Sequence, residues 1–510
     1  MIAADISVRM SARTRRALVT VCTMTATIMQ ALDSTVANVS LPYMQGSLSA
    51  SLDQINWVLT SYIVAAAIMT APVGWLADRY GRKRLFIICA TGFTVASLLC
   101  AVSQTIEQIV LARLLQGAFG AGLVPLSQAV MLDSYPAEQR GHAMAIWGIG
   151  VMLGPILGPA IGGFLTENYS WHWVFLINLP VGIVTVLGLM VFLEETKPQA
   201  GMRFDWFGFA ALAVGIGALQ LMLDRGQHVG WFDSTEIVIE LIISIAGFYY
   251  FFAHSLTTSE PFVRFELFRD RNFVAGCVFS VVVGVGLFGT MALITPFTQN
   301  LLGYPIMTAG AVLGSRGVGT LIAMLLVSQL LKRTEARNVV FIGLFLLAVT
   351  LYEMTGFTNN TTTTTIVVIG VIQGFAIGFI FVSLSTIAFA SLPAPLRTSG
   401  SAMLTLVRNM GSSIGIATVI AQLTSGTNYM HARLMESVTP FNDALRQAGP
   451  LLDPSTDTGR ALIDSMVTQQ AAIIAYQNDF KMLMVFTIAM MPLLLLIGTS
   501  RGRRTVSRPV

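Results

Sequence analysis

Charge is what this sequence lacks. Asp, Glu, Lys and Arg make up 11% of its 510 residues, against roughly 25% in a soluble globular protein. With 54% hydrophobic residues and a mean hydropathy of +0.72, there is too little charge to cover a water-facing surface. A cytosolic enzyme, a nucleic-acid binder and a disordered scaffold are excluded. Cysteine is scarce as well: Cys22, Cys89, Cys100 and Cys277 all lie in apolar runs without CxxC or Cys/His spacing, which excludes a disulfide framework and a metal site. The five histidines (142, 172, 228, 254, 431) sit at or outside the ends of the runs, so the clustered His/Ser/Asp set of a membrane-embedded enzyme is missing. No GxxxxGK[ST] occurs, and the glycines of QGAFGAG (116–122) follow no strand, so nothing points to bound nucleotide. What remains is an all-α polytopic membrane protein.

A span needs about 20 mostly apolar residues. Fourteen such runs lie near 17–42, 56–77, 85–104, 107–132, 142–166, 173–193, 206–224, 235–254, 273–295, 308–331, 339–357, 366–391, 401–425 and 479–500. Each must be helical, because the bilayer offers no partner to a free N–H or C=O. The first run follows Arg9, Arg13, Arg15 and Arg16 but is too long for a signal peptide and carries Gln30 and Asp33, so it reads as an uncleaved span. Of the 30 Lys and Arg, 22 fall in the termini and the alternate loops that include 78–84 and 268–272, and the short loops opposite hold only Arg225. The positive-inside rule then predicts both termini cytoplasmic. Trp57, Trp171, Trp173 and Trp231 fall at outer span ends, as an aromatic belt requires.

The chain also repeats. Gln116-Gly117 recurs as Gln373-Gly374, and Pro136-Ala137-x-x-Arg140 as Pro393-Ala394-x-x-Arg397, both 257 residues on. Six spans take fewer residues than this offset, and the excess accommodates an inserted helix pair, which preserves the orientation of the second half. The expected organisation is a cytoplasmic N-terminus (1–16), a six-helix bundle (17–193), a linker with two extra transmembrane helices (194–272), a second six-helix bundle (273–500) including the outer loop 426–478, and a basic tail (501–510). Parallel bundles meeting at a central cavity suit an alternating-access transporter.

Asp33, in the middle of the first span, is the sharpest feature. At least about 2.5 kcal/mol opposes a charge there. Desolvation favours the neutral acid and a nearby guanidinium the carboxylate. Arg113, early in span 4, is the natural partner, and the pair is either a proton switch or a static ion pair. GWLADRYGRKR (74–84) places Asp78 where it would face a helix N-terminus and latch a gate; the alternative is a basic turn that only sets topology. Gly150, Gly154, Gly158 and Gly162 recur every fourth residue in span 5, with Pro155 and Pro159 as kinks, giving a groove for close helix packing. Arg316 and Arg408 are intramembrane, and each either lines a cavity or snorkels to an interface; Arg316 reads as cavity-facing. Glu240 and Glu353 read as interfacial.

Together these residues resemble the major facilitator superfamily, specifically its fourteen-helix drug:proton antiporters of the EmrB/QacA kind, over essentially the whole chain. The family's motif A falls on Gly74, Leu76, Asp78, Arg79, Gly81, Arg82 and Lys83. Motif B falls on Arg113, Gln116 and Gly117, and motif C on Gly154, Gly158, Pro159, Gly162 and Gly163. The first-helix motif falls on Leu32, Asp33, Thr35, Asn38 and Pro42. The departures are His172 where the family has Arg, Ser383 where a Pro is common, and a degenerate second motif A (328–337) with Lys332 in place of Asp. The resemblance implies a major facilitator fold, proton coupling by Asp33 with Arg113, a cytoplasmic gate in motif A and an antiporter helix in motif C. Thr35, Asn38, Gln116, Arg316, Gln373 and Arg408 are the candidate substrate-cavity residues. Protons are the coupling ion, with no cofactor, metal or catalytic residue. The expected activity is export of hydrophobic or amphiphilic drugs from the cytoplasm or inner leaflet across a bacterial inner membrane. LDRG…GWF (223–232) and the long outer loop look like the EmrB branch, which implies a periplasmic adaptor protein and an outer-membrane channel. The alternatives are a dedicated exporter of a fatty acid, bile salt or siderophore, or a transport-dead receptor.

Overall fold

The computed structural model describes residues 11–199, 201–439 and 452–497. The basic tail 501–510 and residues 440–451 of the outer loop therefore lie outside the described residues. Fourteen helical elements follow one another: α1 Ala12–Ser47, α2 Leu52–Thr70 continued by Val73–Tyr80, α3 Arg82–Ala101, α4 Ile106–Gly120 continued by Leu123–Ser134, α5 Arg140–Asn168, α6 Trp173–Leu176 continued by Asn178–Phe192, α7 Trp206–Val229, α8 Thr235–Thr257, α9 Arg271–Pro296, α10 Ile306–Arg333, α11 Ala336–Met354, α12 Thr363–Ala390, α13 Arg397–Met435 and α14 Asp457–Met490. Each overlaps one of the fourteen apolar runs. Among the described residues thirteen helices are long and apolar enough to span, and fourteen if α2, bent by 56° at its break, counts as one. Pro72 stands at that break, where a missing N–H is tolerated.

Side-chain caps fix where several spans begin. Thr105, Asp205, Thr362 and Thr456 each accept a hydrogen bond from a backbone N–H three residues on, and Asp270 accepts from the N–H groups of Asn272 and Phe273. These bonds satisfy donors that a helix leaves open at its first turn. α5 runs unbroken through Pro155 and Pro159.

The packing repeats as the sequence does. α1 packs on α5, α2 on α4, and α3 on α4 and α6; in the second half α9 packs on α13, α10 on α12, and α11 on α12 and α14. The inserted α7 and α8 form a hairpin, brought together where Gly215 meets Gly247 and Ser244 Oγ donates to Gly215 O at 3.0 Å. α7 reaches across to α2 and to α13, and Thr60 on α2 donates to the Asp224 carboxylate on α7. The long loop before the last apolar run is partly helical because α13 and α14 continue beyond the apolar layer: the first part of α14 is polar and largely exposed, and regular burial resumes at Ala471. His431 and Asp464 pair across the two extensions at 2.9 Å.

Candidate functional site: a buried charge cluster and a closed basic end

α1 and α4 meet at Asp33 and Arg113, which are 1% and 0% exposed. Arg113 Nη1 donates to Asp33 Oδ2 at 2.7 Å and to Gln116 Oε1 at 2.8 Å. The other carboxylate oxygen, Oδ1, accepts from Gln116 Nε2 at 2.8 Å and from Asn178 Nδ2 at 2.9 Å. Arg113 Nε donates to Val58 O at 3.1 Å, and its guanidinium carbon lies 4.1 Å from the centre of the Tyr62 ring. Every face of the charge pair is thus occupied, which a buried pair requires if desolvation is to be offset. Asn178 is neutral, and hydropathy gives it no prominence; only the fold brings it to Asp33.

The glycines of α5 explain how α1 is held here. A Cβ on Gly154 would meet the Ala31 backbone and one on Gly158 the Thr35 side chain; at Gly162 it would stand 3.0 Å from Val36. Thr35 Oγ1 donates to Gly154 O at 3.1 Å. The stripe therefore lies against the helix that carries Asp33, and its lack of side chains sets the depth of that carboxyl. Gly163 points elsewhere, its nearest neighbour 3.9 Å from an added Cβ.

At the end of the bundle that carries 74–84, the two halves touch directly. Gly74 admits Ser399 of α13, whose Cα would be 2.7 Å from an added Cβ. Gly81 turns the chain with φ +91°, a conformation that suits glycine. Arg82 and Arg397, one from each half, both pair with Asp133 on α4, and Ser401 donates to Gln128. Lys83 stays within its own half, its Nζ donating to Met190 O at 2.8 Å, and Arg79 is half-buried. Asp78 does not face a helix N-terminus as expected. Its Oδ2 accepts from Arg264, in the segment between α8 and α9, at 2.7 Å, because that segment crosses the bent end of α2. The carboxylate that bridges the halves is Asp133, which sequence reading passed over because an acid at a helix end is ordinary.

The remaining cavity candidates divide. Arg408 lines a small cavity between α4, α9, α12 and α13 with Gln128, Ser280 and Ser385, and lies 5.4 Å from the Phe381 ring centre. Asn38 is exposed. Thr35 serves helix packing, and Gln116 and Gln373 are fully buried. Arg316 is enclosed: it is 7% exposed, its backbone presses on Gly374, and its Cγ lies 3.6 Å from where Gly370 would carry a Cβ. The two glycines of α12 leave the space that encloses it. Its Nη1 and Nη2 and the Gln373 Oε1 have no hydrogen-bond partner. Asp479, at the very edge of the last apolar run, is likewise buried.

The family profile described as Major Facilitator Superfamily matches residues 23–416. The multidrug export protein EmrB of Escherichia coli (strain K12) is 34% identical over 471 residues, covering 91% of this chain and 92% of EmrB. The fatty acid resistance protein FarB of Neisseria gonorrhoeae is 31% identical over 473 residues, covering 92% and 93%. The solved structure of the proton:xylose symporter XylE superposes with a TM-score of 0.60 at 13% identity, over 96% of this chain and 100% of that one, a likeness of fold. The repeat, the buried charge cluster and these matches agree: the chain belongs to the major facilitator superfamily and is similar to EmrB over nine-tenths of its length.

Proposed function

We propose that this protein exports hydrophobic or amphiphilic compounds across a bacterial inner membrane in exchange for protons, with the basic end in the cytoplasm. The observation that carries this is the Asp33–Arg113 pair, buried among the helices that meet at the centre of the first half and held by three donors. Protonation of Asp33 removes the charge that Arg113 answers, so a proton arriving from outside frees the guanidinium to seek other partners. The motion has a place to act: the direct hydrogen bonds between halves, Asp133 with Arg397 and Gln128 with Ser401, stand at the basic end. With that end closed, the arrangement corresponds to a state that releases substrate outward and accepts a proton.

The energy suffices. One proton entering across about 150 mV releases about 3.5 kcal/mol, at roughly 2.3 per 100 mV. That sustains a gradient of about 300-fold for a neutral substrate, at about 1.4 kcal/mol per tenfold. The relatives named for multidrug export and for fatty acid resistance support a lipophilic substrate, and the second supports a dedicated fatty-acid exporter as the other reading. The paired extensions of α13 and α14 supply a surface outside the membrane for an adaptor protein leading to an outer-membrane channel.

The test is proton release by purified protein in weakly buffered detergent on adding a lipophilic dye or a long-chain fatty acid, wild type against Asp33→Asn. Release that vanishes in Asp33→Asn is expected. Binding without release in the wild type would sink proton exchange, and the compound that triggers release decides between the two substrate readings.

A further inference from the structure

The exchange proposed above uses one carboxyl, and the chain buries another that it leaves idle. Asp479 is 0% exposed, and neither of its carboxylate oxygens has a hydrogen-bond partner. It stands inside α14, eleven residues before the helix end at Met490, which is about 17 Å of helix. Its surroundings are apolar. Tyr476 and Leu483 lie one turn to either side and Phe480 next to it, all buried. Phe357 lies 6.0 Å from the Phe480 ring, and Phe297 5.4 Å from the Tyr476 ring. Leu483 borders Gly289 of α9, and Ala475 borders Gly426 of α13.

The helices packed against α14 are α9 with the π-helical turn Phe297–Leu301 that continues it, α11 and α13. Their titratable and charged groups are Arg271 and Cys277 on α9, Arg337, Tyr352 and Glu353 on α11, and Arg397, Arg408, Tyr429, His431 and Arg433 on α13; none is hydrogen-bonded to Asp479. Tyr476 and Lys481 are its neighbours on α14 itself. Arg316 is a buried cation of the same half, and its terminal nitrogens are also without partners. A carboxylate with neither donors nor counter-ion in a dry layer is a state that proteins avoid, whereas a neutral acid is tolerated there.

We propose that Asp479 is a second proton-binding site of the transport cycle, occupied by a proton while the basic end is closed and emptied when the bundle rearranges around α14. This rests on the exchange reading, but it is tested separately. The proton adds to a carboxylate oxygen from the outer side to give the neutral acid and leaves to water on the basic side, restoring the carboxylate, so one charge crosses per turnover beyond that carried by Asp33.

Ethidium, a monovalent cation, makes the extra proton visible. Exchange of one proton for one ethidium moves no net charge, and exchange of two protons does. In proteoliposomes clamped with potassium and valinomycin, wild-type ethidium transport should respond to voltage alone. Asp479→Asn, which keeps the shape of the neutral acid, should respond to a pH gradient but lose the voltage response. Voltage-independent wild-type transport, or a voltage response that survives in Asp479→Asn, would overturn the proposal. Infrared difference spectra give a reading that needs no transport: a protonated-carboxyl carbonyl band at neutral pH is expected in the wild type and in Asp33→Asn, and its persistence in Asp479→Asn would overturn the site. Exchange that survives in Asp33→Asn would refute the role of Asp33, while the voltage response of Asp479→Asn still decides this one.

Discussion

The two halves share a backbone plan and differ in what they do with charge. In the first, Gly117 of α4 presses on the backbone of Tyr62; in the second, Gly374 of α12 presses in the same way on the backbone of Arg316. The helix approach is thus repeated, because it depends on glycine. The charges are redistributed. The first half puts its carboxylate on α1 and its guanidinium on α4, hydrogen-bonded to one another. The second puts Arg316 on α10 and Asp479 on α14, and leaves both without partners. The buried charge pair of the first half is satisfied as it stands, and the buried charges of the second are held in reserve. Small residues fix how helices meet, and the charges placed between them are then free to diverge.

The contrast can be broken most severely at the guanidiniums. Arg113→Met strips Asp33 of its counter-ion and should cost about 3–5 kcal/mol, as removal of one partner from a buried pair does. Arg316→Met removes a cation that nothing answers, and should be neutral or stabilising. Thermal unfolding in detergent distinguishes them, and equal losses would refute the comparison. The glycine stripe comes next. Gly158→Leu drives a side chain into Thr35 and should lose about 1–3 kcal/mol, the usual cost of overpacking, with α1 displaced and dye exchange reduced. Gly163→Ala, whose added methyl would meet Val39 only at an ordinary contact distance of 3.9 Å, should stay within about 0.5 kcal/mol. Asp133→Asn removes the acid shared by Arg82 and Arg397. It should shift the balance toward an open basic end by roughly tenfold, within the range of about 1–3 kcal/mol typical of such couplings. Thiol labelling of Thr398→Cys, buried while that end is closed, reports the shift. Smallest is Asp457→Asn, in an exposed pair with Arg460, where no measurable change in stability is expected.

Much of this was legible before the fold. The spans were, since only long apolar runs cross a bilayer, and so was the pairing of Asp33 with Arg113, since Arg113 is the one Lys or Arg within the first six apolar runs. The contact between the halves was not. Asp133 lies at a helix end where charge is unremarkable, and its partners come from positions 51 and 264 residues away. Asp78 was placed at the right end with the wrong partner, because Arg264 belongs to a segment without periodicity. Asp479 was hidden for a different reason. Hydropathy starts the last span where polarity stops, but α14 begins at Asp457, so an acid deep inside a helix looks like one at its edge.

α13 runs without a break from Arg397, which grips Asp133, to Met435, beyond the apolar layer. At 1.5 Å per residue this is a rod of roughly 58 Å. A rod that long works as a crowbar: a tilt of a few degrees at its outer tip slides its inner tip by several ångströms. Whatever clamps the outer tip therefore has a hand on the latch at the far side of the membrane.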